Sequence, residues 1–261
     1  MHEATPTNAA RTNVLGIVYD GPPASGEVPL KLESKMGDCE LLVPWAPFCT
    51  EPCTGGAKCT ADDTCTAQPK MLDVGPVVLS GLGDELTLEA IAGNYQSPTL
   101  PAKPCAEGAP VSLDSSSFSM ESPCIARLEL TTEAPIPVMT GKSLDLAWTP
   151  PNSPADSRVK IHLDIAHHGG KKGEINCDVA DTGSFSVPEK LVTQLVSLGL
   201  AGYPDITAER YSASVDARLP MIKLRIGSLV RREVDTGVLS CDEDSQCESG
   251  QTCNTADRTC K

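Results

Sequence analysis

The sequence predicts a mainly β protein, built as antiparallel β-sandwiches with one short helix and two small disulfide-rich modules. Three observations carry this. Apolar and polar residues alternate through much of the second half of the chain, the mark of strands with one buried face. The 261 residues include 12 Cys, an even number, eight of them in two similar clusters. Finally, 22 Pro and 21 Gly cut the chain into short runs. A hydrophobic share of 40% leaves enough apolar material for a core, which argues against wholesale disorder.

Taken in order, residues 1–11 read as a disordered polar leader without the apolar stretch of a signal peptide. A β domain is expected over 12–130, with a cysteine-rich insert at 39–66. Its strands fall near 14–19, 30–32, 77–79, 86–90 and 128–130, separated by Pro-rich loops, above all 97–110. A β-sandwich is expected over 131–238. There Leu144, Leu146 and Trp148 share one face of a strand, as do Val159, Ile161, Leu163 and Ile165, then Ile175, Cys177 and Val179. The Gly-rich stretch 169–173 between the last two runs reads as a hairpin turn. Tyr211, Ala213, Val215, Ala217 and Leu219 alternate, as do Ile222, Leu224, Ile226 and Val230. Between these strands, Ser186-Val-Pro-Glu189 reads as a capping box opening a helix over 187–198, with Leu191, Leu195 and Leu198 on one side and Gly199 as its stop. A cysteine-rich tail module, 239–261, ends the chain.

The clusters form an internal repeat. Cys49, Cys53, Cys59 and Cys65 make the first copy, and Cys241, Cys247, Cys253 and Cys260 the second. Gly56-Ala-Lys-Cys59 aligns with Gly250-Gln-Thr-Cys253, and Ala61-Asp-Asp-Thr-Cys65 with Ala256-Asp-Arg-Thr-Cys260. Segments this poor in large apolar side chains need covalent cross-links to hold a fold. Each copy therefore reads as a disulfide knuckle, leaving Cys39, Cys105, Cys124 and Cys177 for the body; which cysteine pairs with which stays open. There is no C-x-x-C, so structural zinc is disfavoured and an oxidising compartment favoured.

Two stretches carry a resemblance. Leu144-Asp-Leu-Ala-Trp148-Thr-Pro-Pro151 resembles the second strand of fibronectin III and related immunoglobulin-like sandwiches, where a Trp in alternating register anchors the core. The tail from Cys241 to Cys260 is similar to Dickkopf-type modules and to cysteine-rich patterns of many secreted myxobacterial proteins. As a whole, the chain resembles the uncharacterised cysteine-rich surface lipoproteins of myxobacteria. That resemblance implies a secreted protein at the bacterial cell surface or outer membrane, with a lipid anchor in the native precursor. It implies no activity and no catalytic residue.

The net charge of -14 argues against nucleic acid as a partner, because phosphate contact needs a basic stripe. No apolar run is long enough to span a bilayer. For metal, His162, Asp164 and His168 would share one strand face, with His167 beside them, a set able to hold a divalent ion. Asp62, Asp63, Asp242 and Asp244 in the knuckles are candidate calcium ligands, although the EF-hand spacing is absent. Asp181-Thr-Gly183 and Asp235-Thr-Gly237 each match the tripeptide of aspartic proteases, but the two Asp lie only 54 positions apart and turn chemistry explains both. Among the scarce aromatics, Trp148 is expected in the core. Trp45, Phe48, Tyr95 and Tyr203 are the candidate contact residues, with Trp45 first; packing of Trp45 and Phe48 beneath the first knuckle is the competing expectation. The sequence thus favours a non-enzymatic binding or adhesion protein without cofactor, whose partner is an extracellular protein or glycan. A calcium or other metal site, a metal-dependent hydrolase using His162, Asp164, His167 and His168, and a structural envelope component are the alternatives.

Overall fold

The alternating runs become neighbouring strands. The structure is a computed structural model and describes residues 1–2, 10–21, 29–153, 157–166, 172–216 and 222–261. In chain order the first strands are β1 (Leu15–Ile17), β2 (Leu30–Met36), β3 (Cys39–Pro44), β4 (Lys58–Ala61), β5 (Thr64–Thr66), β6 (Val77–Ser80) and β7 (Leu86–Leu88). Then come β8 (Asn94–Gln96), β9 (Pro110–Asp114), β10 (Ser119–Pro123), β11 (Ile136–Pro137), β12 (Leu144–Ala147), β13 (Arg158–Asp164), β14 (Glu174–Ala180) and β15 (Ser184–Val187). The helix α1 (Glu189–Ser197) is followed by β16 (Asp205–Val215), β17 (Lys223–Asp235), β18 (Cys253–Asn254) and β19 (Thr259–Cys260). The molecule is mainly β, with several sheets, one α-helix among the described residues, and six disulfides.

Seven strands form the largest sheet, in the order β11-β17-β16-β13-β14-β3-β2. Its pairs are antiparallel except β11 with β17. The period of two puts Val159, Ile161 and Leu163 of β13, and Ile175, Cys177 and Val179 of β14, on one fully buried face. The β12–β15 ribbon and α1 cover that face with Leu144, Leu146, Val187, Leu191 and Leu195. Each such side chain contributes roughly 1.5–3 kcal/mol through removal of its surface from water. Trp148 lies in this core, 3% exposed, where its alternating register with Leu144 and Leu146 puts it. The Cys39–Cys177 bridge crosses from β3 to β14 at a directly paired position.

A second sheet, ordered β10-β9-β6-β7, packs against the first half of β17 through Val77, Leu88, Phe118, Met120 and Leu224. The β1–β8 ribbon adds Tyr95 to the same cluster. The 11-residue β16 and 13-residue β17 are long enough to serve both cores. Ser122 Oγ donates to Ser212 Oγ at 3.1 Å, joining β10 to β16.

Several expectations need correction. The sheets do not part near residue 130: β2 and β3 belong to the seven-stranded sheet, whose other strands follow that position. The cysteine-rich insert begins after β3, because Cys39 is a sheet residue bonded to Cys177. Residues 128–130 form an isolated bridge, Leu130 to Trp148, rather than a strand, and Leu128 is fully buried. Ser186 does not cap the helix. It sits in β15 opposite Asp145, and its Oγ donates to Asp145 Oδ1 at 2.5 Å, a cross-strand partner that outcompetes the helix end. Pro188 occupies the N-cap without a side-chain bond, and Gly199 at φ 93° ends the helix as expected. The hairpin between β13 and β14 forms, while 169–171 of its turn, like His167, His168, Ala217 and Leu219, lie outside the described residues.

Candidate functional site

Both knuckles close in the same way. The first copy pairs Cys49 with Cys59 and Cys53 with Cys65. The second pairs Cys241 with Cys253 and Cys247 with Cys260. In each, the first cysteine bonds the third and the second bonds the fourth, and a short hairpin sets the last two cysteines opposite each other. The aligned glycines Gly56 and Gly250 have φ of 79° and 92°, and the aligned turn residues Asp63 and Arg258 have φ of 53° and 55°. The sequence repeat is therefore a backbone repeat.

The first knuckle carries the most exposed aromatic of the candidate set. Phe48 is 70% exposed, directly before Cys49. The loop beneath it is held by its own acids. Asp62 Oδ1 accepts from the Phe48 amide at 2.9 Å, and Asp63 Oδ1 accepts from the Thr50 amide at 2.8 Å. The Asp63 amide donates back to the Phe48 carbonyl at 3.0 Å. These bonds from Thr50 hold the Asp63 carboxyl below its ordinary range. Phe48 thus stands on a small cross-linked platform, with both ends of its peptide fixed.

The other aromatics are placed differently. Trp45 is half-buried, and its amide donates to the Pro29 carbonyl at 2.8 Å. Tyr95 is not a surface residue. It is 3% exposed, its hydroxyl accepts from the Val74 amide at 2.9 Å and lies 3.0 Å from the Gly75 carbonyl, so burial pushes its pKa up. Period two explains this: Tyr95 faces the core while its β8 neighbours Asn94 and Gln96 face solvent. Tyr203 is half-buried, and its interaction with Asp242 of the second knuckle raises its pKa.

The predicted metal ligands separate into groups with other duties. His162 and Asp164 do share the outer face of β13, but the His162 ring bonds Asn176 Oδ1 at 2.8 Å through Nδ1, and Asp164 Oδ1 accepts from the Ala166 amide at 2.8 Å. His168 lies outside the described residues. In the knuckles, Asp242 pairs with Arg258 at 2.7 Å and Asp244 accepts from the Cys253 amide at 2.7 Å. Together with the amide bonds of Asp62 and Asp63, this spreads the four carboxylates over turns rather than converging them. Among the described residues, the groups whose ligand atoms do converge are Cys49, Cys53 and Cys65, and Cys241, Cys247 and Cys260. Their sulfurs are all in disulfides, so none offers a thiolate to a metal.

One constellation escaped the sequence reading. Asp181, 0% exposed, receives Arg210 Nε at 2.5 Å, the Trp148 indole N–H at 2.7 Å and the Ser157 hydroxyl at 2.6 Å. Arg210 donates a second bond to Asp181, through Nη2 to Oδ1 at 3.1 Å, and its other donors go to the Arg127 and Thr149 carbonyls, at 2.9 and 2.6 Å, and to that of Ala126 at 3.5 Å. A buried ion pair survives only when its spare donors and acceptors are satisfied, and these are. The first Asp-Thr-Gly is thus a structural anchor, whereas in the second, Asp235 Oδ1 accepts from the Gly237 amide at 2.8 Å in an exposed turn. The alternation of Tyr211, Ala213 and Val215 put Arg210 on the outward face of its strand, so the sequence carried no signal of the pair; in the structure Arg210 is 1% exposed.

Comparison with known proteins adds little to this geometry. No family model matches the chain, and no curated protein does. A solved structure described as "Ca2+-stabilized adhesin helps an Antarctic bacterium reach out and bind ice" aligns at 11% identity and a TM-score of 0.20, over 78% of this chain and 45% of that one. No helix among the described residues is long and apolar enough to cross a membrane. Six disulfides are consistent with an extracellular setting.

Proposed function

We propose that this chain is a non-enzymatic protein of the bacterial cell surface that binds an extracellular protein through the tip of its first knuckle. The observation that carries the reading is Phe48, 70% exposed on a platform whose two bridges and two aspartate caps fix the backbone on either side of it. An exposed ring held this way loses little conformational freedom on binding, which is the property of an interface anchor. The partner is taken as a protein, whose surface pocket a single fixed, exposed ring can fill.

The test is a binding titration of the purified protein against surface preparations of its own host, with and without protease treatment of those preparations. Phe48→Ala is expected to weaken binding at least about tenfold while leaving circular dichroism and melting unchanged. Binding that survives protease treatment would point to a glycan. Wild-type affinity in Phe48→Ala would remove the first knuckle as the contact surface.

A further inference from the structure

Two strand edges face each other across a gap beside the second core. On the strand that contains β1, every second residue turns its backbone toward β8 and the chain that follows it. The Val14 and Val18 carbonyls accept from the Ser97 and Leu72 amides, and Thr12 exchanges two bonds with Leu100. The residues between them turn theirs the other way. Arg11 does so and exchanges two bonds with His2, but Asn13, Leu15 and Ile17 have no backbone partner on that side among the described residues. β17 supplies the opposite edge. Its Gly227 carbonyl and Leu229 amide bond Met1, while the Gly227 amide and the backbone groups of Arg225 continue that edge without a partner among the described residues.

The gap is one strand wide. His2 bridges Arg11 in antiparallel fashion on one side and Leu229 in parallel on the other. The two edges there stand two strand spacings apart, about 10 Å. Toward Val18 and Ile222 no chain fills the gap, and a cavity of about 700 Å³ lies between both edges and the β10-β9-β6-β7 sheet. Continuing the register of His2 sets Val14, Gly16 and Val18 across from Ile226, Leu224 and Ile222. The five side chains pack toward the second core, and Gly16 sits beside Tyr95. Leu15 and Ile17, 73% and 47% exposed, turn outward, across from Arg225 and Lys223. Proteins normally guard an exposed strand edge with lysines or a bulge. β2, the outermost strand of the large sheet, has Lys31, Lys35 and a bulge between Leu32 and Ser34. β1 has none of these.

We infer that the gap binds an extended segment of a partner protein as an added strand, antiparallel to β1 and parallel to β17, with apolar side chains beside Val14, Gly16 and Val18. The added strand joins the β1–β8 ribbon to the seven-stranded sheet. Its backbone satisfies Leu15 and Ile17 and gives affinity, while its alternate side chains enter the cavity and give selectivity. A small apolar molecule would fill the cavity and leave both rows of backbone groups unpaired. The inference does not rest on the Phe48 reading, since the two sites share no residue.

Fluorescence anisotropy on the full chain tests it with a capped, dye-labelled five-residue peptide. Valine occupies its first, third and fifth positions, and glutamate the second and fourth, beside Lys223 and Arg225. Two sister peptides carry isoleucine or leucine in place of valine. Saturable binding of one peptide per chain is expected for at least one of the three. Methylating the two glutamate amide nitrogens keeps every side chain but removes the donors to the Leu15 and Ile17 carbonyls, and is expected to weaken binding at least about tenfold. Leu15→Pro removes an amide that faces the gap rather than β8, and is expected to weaken binding about tenfold with unchanged melting, while Phe48→Ala leaves binding intact. On binding, amide exchange should slow at Leu15 and Ile17 and stay unchanged at Gly16, which already pairs with Tyr95. No saturable binding by any of the three peptides overturns the proposal. Equal binding of the methylated peptide does so too, because the cavity would then take any apolar ligand. Unchanged exchange at Leu15 and Ile17 in the bound wild-type chain overturns the added strand whether or not Leu15→Pro folds.

Discussion

Residues 49–65 and 241–260 close with the same bridge order and turn through a left-handed residue at the same aligned position, yet they stand in different surroundings. The second copy is docked. Cys241, Thr259 and Cys260 are buried, the Gly202 amide donates to the Asp257 carbonyl at 2.7 Å, and Tyr203 interacts with Asp242. Among the described residues, the first copy keeps its hydrogen bonds within residues 48–66 and leaves Phe48 and Cys65 exposed. Four cysteines and a turn specify the local fold; the flanking residues decide whether it becomes part of the body or stands off it. The two Asp-Thr-Gly tripeptides teach the same thing on a smaller scale, one buried on Arg210 and the other a surface turn.

The tripeptides give the largest expected difference. Asp181→Ala strips the buried Arg210 guanidinium of its counter-charge, and loss of one partner of a buried pair costs about 3–5 kcal/mol. Asp235→Ala removes one turn bond and should cost less than about 0.5 kcal/mol. Urea unfolding of both variants checks the contrast. Equal destabilisation would mean that burial is not what separates the two motifs.

The bridges come next. Cys53–Cys65 and Cys247–Cys260 close loops of nearly equal length, 12 and 13 positions, so chain entropy assigns each about 3 kcal/mol of local stabilisation. Only the docked copy can pass that loss to the body. A Cys247→Ser/Cys260→Ser variant is expected to lower the main calorimetric transition by several degrees. Cys53→Ser/Cys65→Ser should leave that transition in place and abolish partner binding. A matching drop in both variants would show that the first knuckle is coupled to the body after all.

How much of this was legible in the sequence follows from where the signal is local. The alternation from Leu144 onward marked β12, β13, β14 and β17, because each has one face in a core and one in water. In β16 it marked the strand but the wrong face: Ala213 and Val215 turn outward, Val215 being 48% exposed, while Ala208, Arg210 and Ser212 are buried, because two of the inward residues are polar. The cysteine spacing marked both knuckles, because their stability is covalent. The strands β9 and β10 were missed. Ser119-Met-Glu-Ser-Pro123 turns inward only Met120 and Ser122, and a buried Ser that bonds Ser212 does not look apolar. Sharing of β16 and β17 between two cores was equally hidden, since alternation says which face is buried and not against what. For the candidate site, the exposed aromatic lay in the segment expected, but its ranking reversed: Phe48 is solvent-exposed and Trp45 half-buried.

The smallest expected effect concerns acid, and it tests whether the knuckles remain alike where their own bonds are concerned. The Asp63 carboxyl is held below its ordinary range by its bonds from Thr50, and that of Asp257 by Lys261 and Thr259. A depressed folded-state pKa stabilises the fold at pH above the unfolded value, and that contribution disappears as pH falls through the lower, folded value. Both turns should therefore hold from neutral pH down to about pH 4 and loosen together below it. The Asp63 carboxylate is exposed and that of Asp257 partly so, and both lie in turns outside the two cores, so the loss is local and leaves the cores intact. Amide exchange read by NMR at Thr50 and Thr259 follows it directly. If Thr259 stays protected at a pH where Thr50 has opened, docking against residues 201–203 holds the second turn even after its carboxylate is neutralised. The difference between the two copies would then extend from their surroundings into their turns.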